Sequence, residues 1–337
     1  MFWSAASLIL TVAITGGNDL SERELRAWKK VQPSIVQLIG NGEVRGSAAL
    51  ISTEGLFIAH VTAAPGKESV ARTSGGRTVR LTKIASDDPT QFVLLKADVW
   101  MEDAPALTIS DSSAERSILA ITPTGPIRAE VANSIYGIVD PSRRVVQMNE
   151  IRLENNMRTL GGSLLVNLNG QLVGTLDATL GPSPEQTVQR AKNDLGTARG
   201  GGLGGGGSVL PSRAGNALQF GPGILTAAYS VGPKVLRRVV AGFLSSTHEV
   251  KHPAIGVFCR DAVPLGALVV TVTKGSKAEE AGMREGDIIV SINGRSVRNQ
   301  IEFAQIMADQ EIGETLTMWI QRSGLRQQLK VEVGSQP

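Results

Sequence analysis

The sequence predicts a mainly β chain in two domains, and three observations carry that reading. At about 100 to 200 residues per domain, 337 residues make two domains or one large one. From Ile35 to Val173, β-branched apolar runs of four to eight residues recur between Gly, Pro, Asn and Asp. Beyond a Gly- and Pro-rich tract, a second set of such runs begins near Lys251. Hydrophobic residues at 42% and charged residues at 19% describe an ordinary globular chain. A net charge of +3 gives no basic face for nucleic acid, and 7 Phe, 4 Trp and 2 Tyr offer few stacking platforms. The single cysteine, Cys259, excludes an intramolecular disulfide and a CxxC metal site. Three histidines leave little room for a metal centre, so neither metal nor cofactor is expected.

Residues 2–14 form an apolar stretch too short for a membrane span, so no integral span is expected. It suits the core of a secretory signal ending near residue 17, although no Lys or Arg precedes it; a buried N-terminal strand is the competing expectation. Ser21 and Glu24 have capping-box spacing and open a short helix that Pro33 ends. Strand-like runs follow: SIVQLI, SAALIS, LFIAHV, FVLLKA, SILAIT, SIYGIV, RVVQM, SLLVNL and QLVGTL. Residues 181–223 break the pattern, with seven glycines between 199 and 208, and read as a mobile loop. PKVLRRVVAGFL (233–244) is apolar at helical spacing, with Pro233 where a missing N–H costs least. The second domain, 251–337, balances ten basic against ten acidic residues. Its strands read GALVVTV, DIIVSIN, TLTMWIQR and QLKVEV, with Asn293-Gly294 as a hairpin turn and NQIEFAQIMA as a helix.

Residues 266–297, GALVVTVTKGSKAEEAGMREGDIIVSINGRSV, resemble the PDZ domain appended to bacterial HtrA/Deg proteases. In such domains a peptide's terminal carboxylate rests on backbone N–H groups before a strand, and the strand then pairs with the peptide. The resemblance places this on Ala254, Ile255, Gly256 and Val257, with Ile301, Phe303 and Ala304 on the helix lining the groove. The competing expectation is that Ile255 and Val257 only fill the core.

Upstream, RGSAALIS, LTISDSS, EVANSIYGIVD and TAAYSVGPKVLRRVVAGFL resemble, in order, segments of the same family's trypsin-like double β-barrel, over 18–250. That chemistry needs a serine, an imidazole and a carboxylate. The family's GNSGG(A/P)LVN aligns without a gap to TLGGSLLVN and puts Gly161 at the nucleophile; sliding by one puts Leu160 there. Its TNxHVV aligns to FIAHVTAA and puts Thr62 at the base position, where no titratable nitrogen is present. Its TDLAVLK aligns to TQFVLLK and puts Gln91 at the acid position. An amide brings no charge there, and the comparable swap in the protease template costs about 10⁴ in turnover.

The resemblance therefore implies a pseudoprotease that binds protein C-termini or unfolded peptides, exported to the periplasm or cell envelope. It also implies a homotrimer. The alternative is an active serine endopeptidase with displaced residues, Ser163 as nucleophile and His60 as base. Against it, Ser163 reads as a small turn residue and His60 as a half-buried strand histidine.

Overall fold

The computed structural model describes residues 20–99, 104–111, 115–139, 144–154, 162–176, 180–182 and 227–336. The segment read as a secretory signal, Gly161 and all but the first two residues of the 181–223 tract lie outside them. Six strands close a first barrel in the order β1-β2-β3-β6-β5-β4. They are β1 (Ile35–Gly40), β2 (Glu43–Ser52), β3 (Leu56–His60), β4 (Glu68–Arg72), β5 (Thr78–Asp87) and β6 (Phe92–Ala97). Every residue of β3 is buried, because the strand has two covered faces. Phe57 and Ala59 fill the barrel with Val93 and Leu95. Ile58 instead joins a core shared with the second lobe. That double burial is why the run reads as continuously apolar.

The second lobe is a seven-stranded sheet. Its strands are β7 (Ser117–Thr122), β8 (Gly125–Val139), β9 (Arg144–Leu153), β10 (Leu164–Asn167), β11 (Leu172–Thr175), β12 (Leu180–Pro182) and β13 (Ala227–Val231). Helix α1 (Glu22–Val31) begins with the expected capping box: Ser21 N–H donates to Glu24 Oε2 at 2.6 Å, and Glu24 N–H to Ser21 Oγ at 3.4 Å. Glu24 also accepts from Arg128 Nε on β8 at 2.8 Å, which pins the helix to the second lobe. Helix α2 (Pro233–Phe243) buries Val235, Leu236, Val239 and Phe243 in the core shared by both lobes.

A third unit follows, built from β14 (His252–Ala254), β15 (Val257–Asp261), β16 (Ala267–Val272), β17 (Ile288–Ile292), β18 (Arg295–Ser296), β19 (Thr315–Arg322), β20 (Leu325–Glu332) and β21 (Gly334–Gln336). Its main sheet runs β15-β16-β17-β19-β20, and β14 pairs with β21. Helices α3 (Lys277–Glu280) and α4 (Gln300–Ala308) complete it. Asn293 and Gly294 turn the chain at φ 47° and 81°, as the Asn-Gly pair predicts. Among the described residues no helix is long and apolar enough to cross a membrane.

This unit is seated on the two lobes by polar contacts. His252 Nε2 lies 2.8 Å from Asp87 Oδ1, both side chains fully buried. The Tyr136 hydroxyl donates to Asp309 just after α4, and Lys234 of α2 donates to the Asp309 carbonyl at 2.6 Å. Burial, and then the Asp309 carboxylate, push the Tyr136 phenol up to about 12. Within the unit, buried Asp287 accepts from Arg322 Nε at 2.7 Å, from Arg322 Nη2 at 2.8 Å and from Arg284 N–H at 2.8 Å. Removing one partner of such a pair leaves the other uncompensated. Asp287→Ala is expected to cost about 3 kcal/mol, read as lost amide-exchange protection in β17 and β19. A loss below about 1 kcal/mol would contradict this role for the pair.

Candidate functional site

His60 ends β3 and is fully buried, not half-buried as the sequence suggests, because the strand is covered on both faces. Its Nδ1 lies 2.8 Å from Thr62 Oγ1 and 3.3 Å from Thr62 N. The Thr62 N–H can only donate, so Nδ1 accepts, and in the neutral ring the proton sits on Nε2. A catalytic base needs the reverse arrangement, with Nδ1–H held by a carboxylate and Nε2 open to take a proton. Gln91, at the acid position, does not supply the missing group. Its side-chain amide donates to the Asp88 carbonyl at 2.6 Å, while its main-chain carbonyl accepts from Val61 N–H at 2.8 Å. The residue sits at φ 60°, in the tight turn between β5 and β6.

The segment carrying the nucleophile motif does meet the histidine segment. Gly162 has φ +89°, and a Cβ there would lie 2.9 Å from Ala63 Cβ and 3.6 Å from His60 Cβ. Its N–H donates to the Leu176 carbonyl at 2.6 Å, and its carbonyl accepts from Ser47 N–H at 3.2 Å. Ser163 is fully buried, and its Oγ has no hydrogen-bond partner among the described residues. Thus the structure brings Thr62 onto His60 and Gly162 against both His60 and Ala63. It does not join Ser163 to His60.

The loop before β15, where the resemblance places a peptide's carboxylate, has a different character. Gly256 adopts φ +83°, and a Cβ there would lie 2.2 Å from Ser276 Cβ. The Ile255 carbonyl accepts from Ala278 N–H at 2.9 Å, and that of Gly256 from Thr273 N–H at 2.8 Å. With both carbonyls turned inward, the amides of Ile255 and Gly256 donate to no backbone acceptor among the described residues. Val257 is half-buried beside this loop, and Ala254 pairs with Gly334. On α4, Ile301 and Ala304 are half-buried, whereas Phe303 belongs to the core. Asp261 Oδ1 accepts from Gln300 N–H at 2.9 Å and ties the end of β15 to the start of α4. Burial pushes the Cys259 thiol, also on β15, up to about 12, so it is no nucleophile near neutral pH.

Comparison with known proteins agrees with this architecture. A family model described as "PDZ domain" matches residues 268–322. The "probable periplasmic serine endoprotease DegP-like" of Hahella chejuensis is 25% identical over 311 residues, covering 87% of this chain and 57% of that protein. Its namesake in Chlamydia trachomatis is 26% identical over 305 residues, covering 87% and 54%. This chain is a homologue of the HtrA/DegP-like serine proteases. It spans about half the length of these curated relatives. Among solved structures, the HtrA-type protease AlgW with a decapeptide superposes with a TM-score of 0.60 at 16% identity, covering 93% of this chain and 99% of that one. A serine endoprotease from Yersinia pestis gives 0.56 at 15%, covering 95% and 100%. The fold is therefore the HtrA-type arrangement of trypsin-like barrels and a PDZ domain.

Sequence reading singled out neither Asp87 nor His252, which lie 165 residues apart. The geometry at His60 gives a direct expectation. In the neutral ring, imidazole nitrogen shifts measured by NMR should show a protonated Nε2 and an accepting Nδ1. In Thr62→Ala, which removes the hydroxyl at 2.8 Å, the Nδ1 signal should move. A ring carrying its proton on Nδ1 would contradict the assignment.

Proposed function

We propose that this HtrA/DegP homologue is a pseudoprotease that captures protein C-termini or unfolded peptides in its PDZ groove and does not cut them. One contrast carries the reading. In the loop before β15 the amides of Ile255, a core residue, and Gly256 donate to no backbone acceptor among the described residues, whereas His60 Nδ1 is occupied by Thr62, where a protease holds a carboxylate. Thr62 and Gln91 at the base and acid positions, and Gly161 at the nucleophile position of the motif, support the same reading. The relatives are named as proteases, so this chain would keep their architecture with a different outcome.

In this proposal residues 1–17 direct export, 18–250 form the barrel pair and 251–337 the PDZ module. The chain acts in the periplasm, the location its relatives carry in their names, as a scaffold or quality-control binder. The trimer implied by the family resemblance belongs to the same proposal.

Fluorescein-labelled decapeptides with a free apolar C-terminus are expected to bind the full chain and stay intact on prolonged incubation, while their amidated counterparts do not bind. Absence of binding at high micromolar concentration would remove the groove half of the proposal. Labelling of Ser163 by a fluorophosphonate probe, lost in His60→Ala, would overturn the other half and make the chain an endopeptidase with displaced residues.

A further inference from the structure

The outward side of β15 has a chemistry of its own. Residues alternate along the strand: Val257 and Cys259 are half-buried toward the core, whereas Phe258 and Arg260 point outward. Phe258 is 66% exposed, an unusual burden for a phenylalanine in a folded domain. Beside it Val270, 36% exposed, occupies the bulge opposite, where Phe258 pairs with Thr271 and Cys259 with Val269. Arg260 pairs with the half-buried Leu268 and makes no ion pair among the described residues. β15 is an edge strand, hydrogen-bonded only to β16 within the sheet.

A peptide added antiparallel to this edge has its register set by its terminal carboxylate. With that group on the amides of Ile255 and Gly256, the last residue lies beside Val257 and the penultimate one beside Phe258. The third from the end then lies beside Cys259, and the fourth from the end beside Arg260. Residues directly opposite in an antiparallel pair point to the same face. The penultimate and fourth-from-last side chains therefore lie on the outer face, against Phe258 and Arg260.

We infer that the groove selects C-termini with an apolar or aromatic penultimate residue and an acidic residue fourth from the end, read by Phe258 and Arg260. This rests on the peptide-capture reading above and narrows its ligands to one class. An exposed aromatic gains by covering its face with an apolar cross-strand neighbour, and an unpaired guanidinium gains from a carboxylate opposite it.

The test uses the full chain and fluorescein-labelled decapeptides sharing one apolar C-terminal residue. They carry Glu, Ala or Lys fourth from the end, and Phe or Ser in the penultimate position. Glu is expected to bind about threefold tighter than Ala, with Lys weakest, and Phe about threefold tighter than Ser. Arg260→Glu should reverse the Glu–Lys order, and Phe258→Ser should erase the penultimate preference; both positions are exposed, so neither change disturbs the core. Carboxylate-dependent binding without these preferences, or an order unchanged in Arg260→Glu, would overturn this inference and leave the groove reading standing. Equal binding of amidated peptides, or no binding at all, would remove both.

Discussion

Asp87 is the residue on which most of the architecture turns. One of its oxygens accepts from Thr90 Oγ1 and holds the tight turn between β5 and β6. The other faces His252 Nε2 at 2.8 Å, at the entry to the PDZ domain. The turn leads into Gln91 at positive φ, whose carbonyl then fixes Val61 between His60 and Thr62. A single carboxylate thus sets the backbone at Gln91, the aligned acid position, and anchors the following domain. Burial lowers the pKa of the nearby Arg144 and Arg238, and the Asp87 charge opposes that shift in both. A carboxylate among such groups contributes only while all of them stay in place, because a buried charge stripped of one partner is left uncompensated.

Much of the fold was legible because its strands are buried on two faces or punctuated by obligatory turns. β3 and β6 read as continuous apolar runs, and Asn293-Gly294 sits at the positive φ its position suggests. β4 and β5 were not among the runs, because Arg72, Arg80 and Lys83 interrupt their apolar positions. At the site, the motif register located Thr62 and Gln91, and the structure sets Gly162 of that register against His60. What Thr62 does there was not legible. Its hold on Nδ1 depends on the turn after β3, in which Ala63 N–H returns to the His60 carbonyl at 3.0 Å. The Asp87–His252 pair was hidden for a plainer reason, since periodicity carries no information across 165 residues.

The two candidate regions differ in how they spend their polar groups. Around His60, the ring nitrogen facing Thr62 is satisfied locally, Gln91 bonds its own turn, and Ser163 is sealed in the interior. His60 Nδ1 finds a partner, as buried polar groups do, whereas Ser163 Oγ has none among the described residues. In the loop before β15 the carbonyls of Ile255 and Gly256 accept from Ala278 on α3 and from Thr273 just after β16, and the two amides donate to no backbone acceptor among the described residues. Backbone donors without an acceptor of their own are what a carboxylate ligand requires.

The walls of the groove are held from opposite ends. β15 is fixed to its own sheet by β16 and, through Asp261, to the start of α4. Just beyond α4, Asp309 and Gln310 are held instead by the second lobe and α2, through Tyr136, Lys234 and Arg238. Widening the groove would move α4 against those contacts as well as its own core residues Phe303, Ile306 and Met307. On the proposed reading, a peptide entering here would meet a site whose ordering cost was met on folding, and fixed walls favour affinity by leaving little to be ordered on binding. In the proposed peptide capture the barrels serve as the rigid support against which one wall of the groove is set.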